Sequence, residues 1–362
     1  MAQIGPLKLT TTQPQRHPAP TVKACKLAYL SFEVPDLDKA EQFLRDFGLV
    51  TVQSNAQTLY MRGADRSPFC YRAIQAERPR FVGFGLEVEN TEALTKLAQL
   101  PGASGIHDLQ QPGGGQCVRL QDPSGFTVEA VCGQTLVEPL PHRKALDLNV
   151  DLKTPRINDT QRPPIAPPEI LKLGHVVLEV ADFQATCGWY TRHFGFIPSD
   201  VQLLPDGSPA VVFMRLDLGD VPADHHTLAM AQGFMPCYSH SAYELVDADA
   251  VGMGQRVLRE RGWKHAWGIG RHILGSQIFD YWQDAWGFKL EHYCDGDVFT
   301  ADAPMGIHPV SRDAMSQWGQ SMPASFTKPK MTPATLKAML HHLRHSPDLT
   351  LRKLITLAKL FA

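Results

Sequence analysis

Residues 270–297 read GRHILGSQIFDYWQDAWGFKLEHYCDGD and place His272, Tyr281 and Glu291 around one tight turn. The turn is Asp284-Ala285-Trp286-Gly287, where the glycine can adopt backbone angles other residues resist. The segment after it alternates, with Phe288, Leu290 and His292 on one face and Lys289, Glu291 and Tyr293 on the other. A carboxylate on a strand among aromatic residues is costly unless a cation meets it. His175, in LKLGHVVLEV, and His240, in CYSHSAYELV, sit at equivalent places on two further strand-like segments. Two imidazoles and one carboxylate with open positions form the usual holder for non-haem Fe(II) in oxygen chemistry. Three protein ligands on one face leave room for substrate and dioxygen, and a single carboxylate keeps the net charge low.

Those segments belong to an internal repeat. KLAYLSFEVPD at 26–36 matches KLGHVVLEVAD at 172–182, and QCVRLQDPSGFTVE at 116–129 matches IFDYWQDAWGFKLE at 278–291. The chain therefore reads as two copies of one module, 25–135 and 169–302. In the first copy the His175 position is Tyr29, the His240 position is about Gly83, and only Glu129 remains opposite Glu291. A metal site thus belongs to the second copy alone. Each module divides again into two strand–helix–strands units, with helical stretches predicted at 183–193 and 249–261. The expected class is α+β, each sheet covered on one face by helices.

Around the modules the sequence predicts a Pro/Gln-rich flexible arm at 1–24, an extended linker at 136–168, and a tail at 303–362. The tail reads as irregular until two amphipathic patterns, at 335–345 and 349–361. Leu336, Met339, Leu340 and Leu343 make one stripe; Leu351, Leu354, Ile355 and Ala358 make the other. They read as a helical pair capping this subunit or a neighbour, with a membrane-surface helix as the alternative.

Composition bounds the function. The chain has 362 residues, is 43% hydrophobic and 20% charged, and carries a net charge of −2. That balance gives no broad electrostatic reason to expect nucleic acid or a membrane surface. No apolar run reaches spanning length, and the N-terminus lacks the apolar core of a secretory signal. Seven cysteines without a CxxC pair fit reduced thiols in a cytoplasm.

The second module resembles the type I extradiol, ring-cleaving catechol dioxygenases of the vicinal oxygen chelate superfamily. The motifs that carry the resemblance are GHVVLEV, HHTLAMAQG, SHSAYELVD, GRHILGSQIFDYW and DAWGFKLEHYCDGD. The two-module layout also matches, over about residues 25–320. The resemblance implies two tandem vicinal-oxygen-chelate modules, each of two βαβββ units, followed by the helical tail. It implies His175, His240 and Glu291 as ligands of Fe(II), with Mn(II) equally suited to the set. It implies His226 as the acid–base group, although the adjacent His225 competes for that role. His272 would contact substrate or oxygen, and Tyr281 would hydrogen-bond a substrate hydroxyl. The partners implied are a catechol-type diol, O2 and further copies of the chain in a homo-oligomer.

The sequence departs from many relatives at Ile273-Leu274-Gly275-Ser276, where an Asn-Asp pair is common, and at Asp284-Ala285, where Asp-Pro is common. Both departures bear on ring substituents. Val211, Phe213, Met214, Phe234, Met235, Phe279, Trp282 and Trp286 are the candidates for a pocket lining. Two rival readings use the same scaffold: a glyoxalase-like isomerase, and a metal-free small-molecule binding protein. A glyoxalase usually needs a second metal-binding carboxylate, and its place is taken here by His240. A binding module has no need of His226, His272 and Tyr281 beside the metal.

Overall fold

A computed structural model of the chain describes residues 13–312, 315–327 and 332–360. Residues 1–12 of the expected arm and the side chain of Ala358 lie outside the described residues. The first half runs β1 (Ala24–Val34), α1 (Leu37–Phe47), β2 (Val50–Ser54), β3 (Thr58–Arg62), β4 (Tyr71–Gln75), β5 (Arg80–Val88), α2 (Thr91–Leu97), β6 (His107–Asp108), β7 (Gln116–Gln121) and β8 (Thr127–Cys132). The second half repeats the order: β9 (Ile170–Val180), α3 (Phe183–Phe194), β10 (Ile197–Leu203), β11 (Pro209–Arg215), β12 (Ala223–Asp224), β13 (Leu228–Gln232), β14 (Cys237–Leu245), α4 (Ala248–Glu260), β15 (Lys264–Arg271), β16 (Ile278–Gln283) and β17 (Lys289–Cys294). The chain closes with β18 (Val298–Phe299), β19 (Gly306–Pro309), β20 (Trp318–Gly319), α5 (Pro333–His345) and α6 (Leu351–Leu360).

Each half is therefore two βαβββ units, the second half adding the short β12. The eight-stranded sheet has the order β2-β3-β4-β1-β5-β8-β7-β6, and the ten-stranded sheet β19-β10-β11-β13-β9-β14-β17-β16-β15-β20. In both, the first strand of a unit lies parallel to its last, β1 with β4 and β9 with β13. The opening strands of the two units run antiparallel through the centre, β1 with β5 and β9 with β14. Helix starts are written in local chemistry. Asp36, Asn90 and Asp247 each accept a hydrogen bond from the backbone N–H three residues on. The turn before β17 closes with Gly287 at φ 93°, while Asp284 Oδ1 accepts from the N–H groups of Trp286, Gly287 and Phe288.

One face of the central strands packs into a core shared by both halves. Val176, Leu178 and Val180 of β9 and Leu290 of β17 join it, as do Leu30, Phe32 and Val34 of β1. Aromatic contacts cross between the halves: Phe47 stacks on His292 at 3.8 Å, and Phe32 meets Phe288 at 5.0 Å. His292 Nε2 also lies 2.7 Å from the Phe47 carbonyl, so this imidazole is a structural tie. The opposite face of β9, carrying His175, Val177 and Glu179, looks into a cavity.

The tail differs from the irregular stretch expected before its helices. β19 adds to β10 in parallel, and β20 pairs with β15, so the tail extends both edges of the ten-stranded sheet. Strands of four and two residues are too short for a periodic hydrophobic signal. They form because the sheet edges offer unpaired backbone groups.

The first half shows what happens to the repeated carboxylate without a metal set. Glu129 accepts hydrogen bonds from Tyr29 at 2.8 Å, Arg72 at 2.9 Å and Arg119 at 2.9 Å. Replacing Arg72 by Met leaves that buried carboxylate short of a cation. The expected cost is about 2–3 kcal/mol, on the scale of hydrogen bonds to charged groups, read as a shift in the urea midpoint. Replacing Arg72 and Glu129 together by apolar residues is expected to cost less than Arg72→Met alone.

Candidate metal centre

Three adjacent strands, β9, β14 and β17, bring together the residues singled out by type. In the register, Ala242 of β14 stands between His175 of β9 and Glu291 of β17, and His240 lies two residues back on the same face. Ala242 offers only a methyl group, so the longer side chains converge above it. Donor atoms of His175, His240 and Glu291 all lie within 4.8 Å of one another. His175 Nε2 is 3.3 Å and His240 Nε2 3.4 Å from Glu291 Oε2. Both Glu291 oxygens are buried without a hydrogen-bond partner among the described residues. A buried carboxylate in that condition is costly unless a cation completes it. Two imidazole nitrogens and a carboxylate, aimed at one point with no internal cation, fit Fe(II) or Mn(II). The first half supplies the internal control: the Tyr29–Gly85 and Gly85–Glu129 pairings repeat those of His175–Ala242 and Ala242–Glu291.

Electrostatics follow from burial and proximity. Burial lowers the His240 pKa to about 3, against the raising charge of Glu291. Burial likewise drives His226 well below the usual histidine range, aided by the charges of His175, His225, His240 and His272. Burial would raise the Glu291 carboxyl, but the close approach of the His175, His272 and His240 imidazoles outweighs it and holds the group well below its ordinary value. Burial, followed by the Glu291 charge, raises Tyr281 well above a normal phenol. His240 and the carboxylate thus stand in their metal-binding protonation states at neutral pH.

The remaining candidates surround the set. His226 packs its ring 4.0 Å from that of His175 and lines the cavity. His225 points the other way, with Nε2 2.7 Å from Asp200 Oδ2. His272 Nδ1 lies 2.8 Å from the Met315 carbonyl, which can only accept, so this nitrogen carries the proton. Its Nε2 then accepts from the Tyr281 hydroxyl at 2.9 Å. Tyr281 is also held by Trp267, whose ring lies parallel to it at 5.5 Å.

The cavity has a volume of about 410 Å³. Of the aromatic and aliphatic candidates, Val211, Phe213 and Phe234 line it. Met214 and Trp282 do not: they alternate with Phe213 and Tyr281 and so face the core. Phe279 packs against the His272 ring, Trp286 packs on the core, and Met235 is outside the lining. Several walls come from chain that carried no signal of a site: Met315, Met322 and Phe326 of the tail, and Leu354 and Leu357 of α6, which read only as an amphipathic helix. Helix α6 is anchored by Lys353, whose Nζ donates to Gln232 Oε1 at 3.1 Å. The preceding turn is tied down by Ser346, which donates to the Ala181 carbonyl, and by Asp348, which accepts from Gln184 N at 2.7 Å. Asp348 thereby supplies the cap that Asp182 does not give α3. In this structure the second helix of the pair, α6, lines the cavity of its own chain.

Residues 172–292 match the family described as the Glyoxalase/Bleomycin resistance protein/Dioxygenase superfamily. The chain carries a domain of that superfamily. It is 27% identical over 322 residues to Metapyrocatechase 2 of Cupriavidus necator, covering 87% of this chain and 96% of that protein. It is 28% identical over 296 residues to the Iron-dependent extradiol dioxygenase of Rhodococcus jostii strain RHA1, covering 75% and 89%. A solved structure, the Mn(II)-bound glyoxalase from Novosphingobium aromaticivorans, shares the fold with a TM-score of 0.71 at 23% identity, covering 86% of this chain and 97% of that one. No described helix of the chain is long and apolar enough to cross a membrane.

Glu291→Ala removes the only carboxylate of the set. Metal content after dialysis, measured by plasma mass spectrometry, is expected to fall from about one ion per chain to below about a tenth. Added Fe(II) or Mn(II) should raise the melting temperature of the parent chain and leave that of the variant unmoved.

Proposed function

We propose that the chain is an extradiol ring-cleaving dioxygenase, opening a catechol-type aromatic diol with O2 at one Fe(II) held by His175, His240 and Glu291. The observation that carries this reading is the pair of unpartnered Glu291 oxygens, set against the imidazoles of His175 and His240, which line a largely apolar cavity. Bound there, iron supplies polarisation of the diol oxygens and electron exchange with dioxygen. Mn(II) suits the same ligands.

The chain's own residues do the rest. His226, neutral in its buried place, takes a proton from a substrate hydroxyl and later returns one; this is the acid–base role. Tyr281, whose hydroxyl donates to His272 before substrate binds, turns that proton to the substrate oxygen, orienting it and stabilising charge on it. Val177, Val211, Phe213, Phe234 and Leu357 exclude water and hold the ring. The chain is proposed to work as a homo-oligomer in the cytoplasm, and sedimentation velocity measures the order of association.

The test is anaerobic reconstitution with Fe(II), then addition of a panel of catechols and air, with visible spectra and oxygen uptake recorded. A yellow ring-opened product with one O2 consumed per diol, lost in His240→Ala, supports the reading. One metal bound per chain with no oxygen uptake on any diol overturns it in favour of a glyoxalase-like or binding role. His226→Phe is expected to retain iron while turnover falls by about 10²–10⁴-fold, the range for general acid–base groups.

Leu357 of α6 lines the cavity and is proposed to bound the space left for a ring substituent. Leu357→Trp is expected to raise KM for a bulky substituted catechol by about 10-fold or more, while unsubstituted catechol changes little. Steady-state oxygen uptake with the two substrates separates these outcomes.

A further inference from the structure

Behind His226 lies a chain of polar groups that the metal set does not use. His308 Nε2 is 2.8 Å from Asp200 Oδ1, and His225 Nε2 is 2.7 Å from Asp200 Oδ2. His225 Nδ1 is in turn 2.9 Å from His226 Nδ1. His225 and His226 are 1% and 3% exposed, whereas the His308 side chain reaches the surface at 41%. Asp200 comes from β10, His308 from β19 and the His pair from the segment between β12 and β13, so three separate elements build the row. Gly306 on β19 makes the close approach feasible. A Cβ there would fall 2.0 Å from Asp200 Oδ1 and 2.6 Å from His308 Nε2.

Hydrogen-bond chemistry assigns the protons along this row. Asp200 is held ionised: burial opposes this, but the hydrogen bonds from His225 and His308 outweigh burial and lower its pKa. An ionised carboxylate only accepts, so His225 Nε2 carries a proton. If that is the only ring proton of His225, its Nδ1 atom is bare and accepts. The partner 2.9 Å away, His226 Nδ1, must therefore be the donor. One proton remains for neutral His226, and it is committed to Nδ1. Its Nε2 is left bare, and among the described residues it has no hydrogen-bond partner in a side chain that lines the cavity.

We infer that Asp200 and His225 are positioning residues: they hold His226 in the one tautomer whose unprotonated Nε2 faces the cavity, ready to accept a proton from a bound hydroxyl. The role assumed for His226 rests on the dioxygenase reading; the tautomer assignment does not. The arrangement makes His226 a base before substrate arrives, with no rearrangement of its ring. A second neutral tautomer would offer Nε2–H instead, and this row opposes it by placing two bare nitrogens face to face. Asn at 200 can accept from only one of the two imidazoles and presents N–H to the other, so it loses that control.

The experiment uses the full chain labelled with ¹⁵N-histidine, metal-free and loaded with diamagnetic Zn(II). His226 signals are assigned by their loss in His226→Phe. A bare Nε2 and a protonated Nδ1 at His226 are expected in the parent chain, and a substantial share of the opposite tautomer in Asp200→Asn. With Fe(II) bound, Asp200→Asn is expected to keep full metal content and an almost unchanged KM while kcat falls about 10–100-fold, the scale for partners that orient site residues. Asp200→Glu, which restores an acceptor for both imidazoles, should recover much of kcat. A protonated Nε2 at His226 in the parent chain overturns the inference, as does Asp200→Asn with full kcat. The parent spectrum needs no variant of Asp200, so a folding defect there does not decide the matter. If no diol is consumed by the parent enzyme, the dioxygenase reading fails while the ¹⁵N spectrum still decides the tautomer.

Discussion

A buried carboxylate near the middle of each sheet is the constraint around which the two halves diverge. The same fold places Glu129 and Glu291 on equivalent strands, and burial penalises both. Glu129 is answered within the chain by Tyr29, Arg72 and Arg119, so its half is electrostatically closed. At the matching positions the second half has His175, Ala229 and Tyr281, which bring no fixed cation. Glu291 is left facing His175 and His240, the latter kept neutral by burial. That deficit makes the second half a metal-binding module and the first its structural counterpart.

The surrounding structure protects this deficit from water. Bulk water at Glu291 would solvate the carboxylate and weaken its demand for a cation. The cavity walls prevent this with residues from distant chain: β9, β11 and β13 on one side, the tail and α6 on the other. Helix α6 stays in place because its polar groups are used structurally. Asp348 completes the N-terminus of α3, Ser346 binds the Ala181 carbonyl, and Lys353 meets Gln232 in the wall itself. Removing that helix would therefore expose apolar cavity surface and leave α3 uncapped.

Two shells of histidine divide the work. His175, His240 and His226 face the cavity, while His225 is turned toward Asp200 and His292 toward the Phe47 carbonyl. Strand alternation separates His292 from Glu291 although they are neighbours in sequence. The same logic separates His225 from His226: one backbone, two directions, and two unlike environments.

How much of this was legible depended on whether the signal was local or repeated. The repeat fixed the βαβββ units and aligned Tyr29 with His175 and Glu129 with Glu291, because equivalent strands must keep the same facing. It also put His175, His240 and Glu291 forward as one set, since three donors at repeat-equivalent places are rare by chance. The spacing of His225 and His226 left their roles open, and only the packing against Asp200 and His175 separated them. Met214, Trp282 and Trp286 were plausible lining by type, yet strand alternation and packing turned them into the core. The edge strands of the tail, the seating of α6 against the cavity and the Asp200–His308 contact had no local signature, although the helix itself was legible as an amphipathic pattern. Each depends on groups far apart in the chain meeting in space, and that meeting is decided by the closed sheet and by packing.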